Sequence, residues 1–323
     1  MESGRRLADL PKNPRLRRGS EEMGYAFPGR HGILYLRSAC KRFLTVRSTL
    51  RLVAAFTRPA AVQAGTANLG SVVLMSLTPY EGGYKMICFL TSRTDDPATG
   101  RLNPANGFMD ELRRCFPPEC RALFICSDPD DREATDYYAG LLKKRFEDAG
   151  FGFRSFRSLD GRNEEQTAEL IGGSDLLIFA GGHVPTQNRF FQKIGLRALL
   201  LDYPGIVIGN SAGSMNSADT VYAQPELEGE AVDPGYQRFL PGLGLTKTML
   251  LPHYQDVKDN VLDGLRVFED ITYPDSMGKT FYAIPDGSWL LVEAGKEELR
   301  GEAYRIRDGG IEQISADGEA VYL

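Results

Sequence analysis

One stretch of the sequence has the residue types and spacing for acyl-transfer chemistry: Gly209-Asn210-Ser211-Ala212-Gly213. The apolar run Gly205–Ile208 precedes it, and the small residues Ser214–Ala218 open a helix after it. A serine at a sharp strand-to-helix turn has its hydroxyl pushed into the open by a strained backbone, and only small neighbours fit where the chain segments cross. The five-residue pattern alone is weak evidence; its position between a strand and a helix gives it weight. A serine hydroxyl at its ordinary pKa is a poor nucleophile, so a base must take its proton, and histidine suits neutral pH. The chain has three histidines, His31, His183 and His253. His31 lies in a basic N-terminal segment. His253 follows the apolar run Thr248–Leu251 through Pro252 and so emerges at a strand end, where groups that act on ligands sit in open α/β sheets. It is therefore preferred over His183 as the base.

The imidazole needs an orienting carboxylate. If the chain order is serine, acid, histidine, the candidates are Asp219, Glu226, Glu228, Glu230 and Asp233. Period-two spacing puts the three glutamates on one side of the segment if it is extended. A tetrahedral oxyanion needs two backbone N–H donors, and one is normally that of the residue after the nucleophile, here Ala212. The diglycine of Ala180-Gly-Gly182 follows the apolar run Asp175–Ala180 and lets main chain approach a substrate closely, so it can supply the other. Pro185-Thr186-Gln187 then opens a helix whose positive end favours negative charge. No Cys/His ligand cluster or phosphate-binding loop of the G-x-x-x-x-G-K-S/T type occurs, so neither metal nor cofactor is expected.

These groups need a rigid frame, and the rest of the chain predicts one. Short continuous apolar runs at Met86–Thr91, Ala122–Ser127, Asp175–Ala180 and Gly205–Gly209 read as strands buried on both faces. The more polar Phe151–Phe156 reads as an edge strand. A helix is predicted over Arg132–Ala149, with Ala134, Tyr138, Leu141, Leu142 and Phe146 on its apolar face and Gly150 as its stop. Another is predicted from about Gln187 to Leu201. Shorter runs follow at Thr248–Leu251, Thr280–Ile284, Trp289–Glu293 and Ala303–Arg307, with turn pairs Asp286-Gly287 and Asp308-Gly309. The fold class is α/β: a doubly wound, mostly parallel sheet finished by C-terminal antiparallel hairpins. There is no internal repeat, so a single catalytic domain is expected over residues 85–323.

Net charge is −5, but residues 1–60 hold 13 basic and 4 acidic side chains, leaving 25 basic and 39 acidic for the remainder. So acidic a body is a poor match for nucleic acid phosphates, and no nucleic acid partner is expected. Residues 1–84 read as a basic, poorly ordered extension. Their Arg-rich composition also fits an import leader or a nucleic-acid-binding arm, and the segment Ile33–Phe56 fits a short amphipathic helix. A charge about every five positions rules that segment out as a membrane span, so no membrane partner is expected. Met86, where the first strand begins, fits a natural start. The five cysteines, Cys40, Cys88, Cys115, Cys120 and Cys126, are odd in number and form no CxxC pair; they read as free thiols in a reducing compartment, the cytoplasm.

Taken together, Ala180-Gly-Gly-His-Val-Pro-Thr-Gln187, Gly209–Gly213, Val232-Asp-Pro234, Leu251-Pro-His-Tyr254 and Ile284-Pro-Asp-Gly-Ser-Trp289 resemble the dipeptidase E and cyanophycinase family of serine peptidases over about Met86–Gly310. The resemblance implies a fold similar to class I glutamine amidotransferases, with serine in place of the nucleophilic cysteine. It also implies hydrolysis of short peptides that begin with aspartate. It gives Ser211 and His253 the nucleophile and base roles, and Gly182 and Ala212 the oxyanion donors. For the third member, anchoring on Val232-Asp-Pro234 selects Glu228, with Glu226 and Glu230 left open, where the bacterial dipeptidase has an aspartate. His183-Val-Pro-Thr also departs from the commoner Asn-Thr form. Cyanophycinase-like or isoaspartyl exopeptidase activity would use the same groups. An α/β-hydrolase esterase shares the elbow but needs more chain between serine and histidine than the 42 positions from Ser211 to His253. A binding module that keeps the elbow only as architecture is the non-enzymatic alternative.

Overall fold

The computed structural model describes residues 86–323. The basic extension, Met86 as a start and the boundary near residue 85 concern residues outside that range or at its edge. The sheet core is five parallel strands, β1 (Ile87–Thr91), β2 (Cys120–Ile125), β3 (Phe153–Leu159), β4 (Leu176–Phe179) and β5 (Ile206–Asn210), ordered β1-β5-β4-β2-β3. Trp289–Glu293 pairs antiparallel with β1, and Lys296–Arg300 and Ala320–Tyr322 extend the sheet to eight strands. A second sheet places Met249–Leu251 parallel to Thr280–Ala283, then Ala303–Arg307 and Gly310–Ser315 antiparallel. The α/β architecture with C-terminal antiparallel strands is thus the one the apolar pattern predicted.

The continuous apolar runs are explained by burial on both faces. Successive strand residues point to opposite sides. Leu123, Ile125, Leu177, Phe179 and Val207 pack with Leu170, Phe190, Phe191 and Leu196 on one side, whereas Phe124, Leu176, Ile178 and Ile208 pack with Phe108, Leu112, Leu142 and Phe146 on the other. The first side is covered by α3 (Thr167–Gly172), α4 (Val184–Lys193) and α5 (Leu196–Leu199), the second by α1 (Phe108–Cys115) and α2 (Arg132–Asp148). β3 lies at the sheet edge and is only half-buried, as its polar residues require.

Two helices differ from expectation. The buried face of α2 is Thr135, Ala139, Leu142 and Phe146, while Tyr138 is exposed, so the apolar stripe is rotated by about one position. The single helix expected from Gln187 to Leu201 is broken at Gly195, whose left-handed φ of 63° separates α4 from α5. Among the described residues no helix is long and apolar enough to cross a membrane.

The second sheet matters for the site because of what it leans on. Leu251, Phe281, Ala283 and Ile306 pack with Val184 at the start of α4 and with Ala212 and Met215 of α6 (Ala212–Asn216). This packing carries the strand end that bears His253 to the helix that follows Ser211.

Candidate active site

Ser211 stands between the end of β5 and the start of α6, with φ 52° and ψ −112°. A non-glycine residue held there costs on the order of 1–3 kcal/mol, so its surroundings must impose it. They do so at several points. The Ser211 N–H donates to the carbonyl of Thr91 (3.1 Å), the Ser214 hydroxyl donates to the same carbonyl (2.8 Å), and the Thr91 hydroxyl donates to Gly209 O (2.9 Å). Asn210 Oδ1 accepts from the Thr94 N–H (3.0 Å). Gly213 is required by packing: a Cβ there would lie 2.6 Å from Phe179 Cβ and O.

His253 also has a left-handed backbone, φ 58°, and precedes the short helix α7 (Tyr254–Val257). Its Nε2 lies 2.8 Å from Ser211 Oγ, and its Nδ1 lies 2.7 Å from Asp286 Oδ1. Asp286 sits in the turn between Thr280–Ala283 and Trp289–Glu293. Ser92 ties the two together, its hydroxyl donating to Asp286 Oδ1 (2.8 Å) and accepting from the His253 N–H (2.9 Å). Burial would raise the Asp286 pKa, but the hydrogen bond and charge of His253, with help from Ser92 and Arg93, outweigh it and hold the carboxyl below its ordinary value. A carboxylate on Nδ1 fixes the tautomer that leaves Nε2 free to accept a proton from the hydroxyl.

The carboxylate at the imidazole is therefore Asp286, and Glu228 is not brought there. Glu228 is exposed. The stretch that would be extended for a period-two reading instead curls into a turn, with the Glu230 N–H donating to Leu227 O (3.0 Å). Glu230 reaches His183, Oε1 to Nε2 at 2.8 Å, while its Oε2 accepts from the N–H groups of Glu226 (2.9 Å) and Leu227 (3.0 Å). His183, the alternative base, is thus occupied on Nε2, and its Nδ1 meets the Thr186 hydroxyl at 2.9 Å.

Gly181 lies against the elbow, where a Cβ would fall 2.8 Å from Asn210 Nδ2 and 3.4 Å from Ser211 Cβ, and Gly182 follows it with φ 152° and no room for a Cβ against Ser127. Among the described residues the N–H groups of Gly182 and Ala212 make no hydrogen bond. A buried amide network sets this loop against the elbow helix. Gln187 Nε2 donates to Ala180 O (2.7 Å), and Asn216 Nδ2 donates to Gln187 Oε1 (3.0 Å) and Val184 O (3.2 Å). Gln187 and Asn216 are both fully buried, where unpaired amides would be costly, so the network holds the loop firmly.

One group of side chains among the described residues has the spacing of a metal site: His253, Asp256 and Asp286, whose ligand atoms lie within 4.8 Å of one another. Both ring nitrogens of His253 are already engaged, so an ion there would have to displace Ser211 or Asp286. The four thiols of the described residues are poor rival nucleophiles. Burial pushes Cys88, Cys120 and Cys126 up to about 12 and Cys115 up to about 11.

The family model for peptidase family S51 matches residues 89–300, which include Gly182, Ser211, His253 and Asp286. The chain belongs to peptidase family S51. This is the serine peptidase family of dipeptidase E that the motifs resemble. The fold is similar to the crystal structure of a peptidase from an acI-B1 Actinobacterium, with a TM-score of 0.52 and 16% identity over 76% of this chain and 100% of that one. A putative peptidase E protein from Listeria monocytogenes EGD-e aligns at 14% identity over 71% of this chain and 99% of that one, with a TM-score of 0.45. No curated protein matches the chain. As an S51 member it is a peptidase, a hydrolase of the serine class.

Proposed function

We propose that this S51 peptidase hydrolyses short peptides, with N-terminal aspartyl dipeptides as the preferred class, through an acyl-enzyme on Ser211. The observation that carries the reading is the unbroken line from Ser211 Oγ through the His253 imidazole to Asp286, at 2.8 and 2.7 Å. Ser211 attacks the peptide carbonyl as His253 Nε2 accepts its proton, forming the C–O bond. The Gly182 and Ala212 N–H groups stabilise the oxyanion. His253 then gives the proton to the leaving amine, the C–N bond breaks, and water attacks the ester by the same proton transfers in reverse roles. Asp286 orients the imidazole and stabilises its charged form. The aspartyl preference rests on the family resemblance of the motifs.

The test is turnover of a panel of Asp-X, isoAsp-X and neutral dipeptides by the wild type and by Ser211→Ala. Asp-X peptides are expected to be cleaved fastest, and the alanine variant to lose at least about 10⁴-fold in kcat while keeping its melting temperature. Faster cleavage of isoAsp-X would move the substrate class to isoaspartyl peptides. Wild-type turnover by Ser211→Ala, or none of the panel cleaved, would overturn the proposal.

A further inference from the structure

The three groups of the site arrive from different places. Ser211 follows β5, His253 follows the strand Met249–Leu251 of the second sheet, and Asp286 lies in the turn that leads back into the first sheet at Trp289–Glu293. β1 runs between two of them: Thr91 is opposite Asn210 on one side and opposite Trp289 on the other. Strand pairing therefore sets the serine and the aspartate in register with each other. It does not reach the histidine, because the strand before His253 pairs with Thr280–Ala283 in the other sheet. The link across is Ser92, the residue after β1. Its N–H donates to Ser288 O (3.1 Å), its hydroxyl donates to Asp286 Oδ1 (2.8 Å), and the same oxygen accepts from the His253 N–H (2.9 Å). Ser92 has no exposed surface, so water does not compete for these partners.

The direction of the bonds is fixed. An N–H can only donate, so Ser92 Oγ accepts from His253 and its single proton goes to the carboxylate. That proton falls on Oδ1, the oxygen that also meets His253 Nδ1. Among the described residues Asp286 Oδ2 makes no hydrogen bond; its ion-pair partner, Arg93 Nη1, is 3.9 Å away on a guanidinium that also pairs with Asp95. Without Ser92 the carboxylate group would be oriented only by the imidazole it has to orient. The His253 main chain depends on it too. Its carbonyl accepts from the N–H groups of Asp256 (2.8 Å) and Val257 (3.0 Å), and its own N–H is held by Ser92, so the left-handed residue is fixed from both ends. We infer that Ser92 is a positioning residue of the reaction: its hydroxyl locks the imidazole and the carboxylate in register with Ser211 and acts through them, without touching substrate. The inference rests on the proposed function and deepens it, since it adds a fourth residue to the line from Ser211 to Asp286. In the sequence Ser92 is only the polar residue after an apolar run.

The experiment is a double-mutant cycle of Ser92→Ala and Asp286→Asn, read by kcat and KM on aspartyl p-nitroanilide and by the rate of fluorophosphonate labelling at Ser211. Ser92→Ala alone should lower kcat and the labelling rate roughly 10–100-fold, the scale of a hydrogen bond to a charged group, with KM within about twofold. In the Asp286→Asn background the same change should cost at most about threefold, because no carboxylate is left to position. Ser92→Cys keeps a side chain in place with a thiol that is a weak donor and acceptor, so its rates should follow those of alanine. It also carries the test if the alanine variant does not fold. Wild-type rates in Ser92→Ala or Ser92→Cys, or equal losses with and without Asp286→Asn, would overturn the inference while leaving the serine hydrolase intact. If the wild type cleaves neither the anilide nor any dipeptide of the panel and takes no label, the hydrolase reading itself fails, and the role of Ser92 with it.

Discussion

His253 and His183 are built alike at first count. Each places a carboxylate on one ring nitrogen and a hydroxyl on the other: Asp286 and Ser211 for the first, Glu230 and Thr186 for the second. The differences lie one bond further out. Ser211 sits in a strained elbow with two unused backbone N–H groups beside it. Thr186 lies in the first turn of α4, and its hydroxyl also accepts from Arg189 (3.0 Å). Glu230 spends its second oxygen on the acidic turn, whereas Asp286 is held by Ser92, which also fixes the His253 backbone. A chain of hydroxyl, imidazole and carboxylate is therefore not by itself a nucleophile. Around His183 it serves as a strut, and only around His253 does it face a place where an oxyanion could form.

The largest expected effect separates the two carboxylates assigned to His253 by structure and by sequence. Asp286→Asn should lower kcat about 10³–10⁴-fold, because an amide on Nδ1 favours the wrong tautomer. Glu228→Gln should stay within about twofold of wild type, since an exposed side chain that makes no hydrogen bond to the imidazole has little to lose. Steady-state kinetics on an aspartyl anilide decides between them, and the opposite ranking would return the third role to Glu228.

A smaller effect is expected at the strut. Glu230→Gln keeps the size of the side chain but weakens its hydrogen bonds to His183 and to two backbone N–H groups. It should cost about 1–2 kcal/mol, or roughly 3–6 °C in melting temperature, and raise KM, while kcat stays within about tenfold. A loss of kcat equal to that of Asp286→Asn would mean that the two histidine systems act as one.

The smallest effect is a pH dependence of stability at Glu226. Its ordinary value of 4.5 applies in the unfolded chain, and the folded value is raised to about 7. Below pH 4.5 both states hold the proton, and the group does not bias folding. Between the two values only the unfolded state ionises, so stability falls as pH rises, and above about 7 the loss is complete. Glu226→Gln cannot ionise, so it should melt at the wild-type temperature near pH 4 and above it at pH 8. The gain is about 1–3 °C, kept small by solvent screening of an exposed group. Thermal melts at both pH values check the sign, and a variant less stable at pH 8 would contradict it.

Much of this was legible in the residues. The parallel strands announced themselves as unbroken apolar runs because both faces are buried, and the elbow did so because close packing against Phe179 and β1 tolerates only small residues. With three histidines in the chain, the partner of Ser211 was a short choice. The carboxylate was not legible, because the order serine, acid, histidine restricted the candidates to residues 212–252, whereas the fold delivers its acid from the turn after Thr280–Ala283. Asp286-Gly287 was visible, but only as a turn pair. Nothing local in it distinguishes a hairpin aspartate from one that the second sheet sets against His253. The face of α2 was misread for a related reason: Tyr138 is apolar enough to pass for core, and only tertiary packing shows that it points outward.

The central claim is that the Ser211 hydroxyl is activated by His253 and Asp286. Labelling with a fluorophosphonate, followed by peptide mapping by mass spectrometry, tests it most directly. A single adduct on Ser211, absent in Ser211→Ala and formed far more slowly in Asp286→Asn, is the predicted result. No adduct on the wild type, or one that forms as fast in Asp286→Asn, would contradict the account.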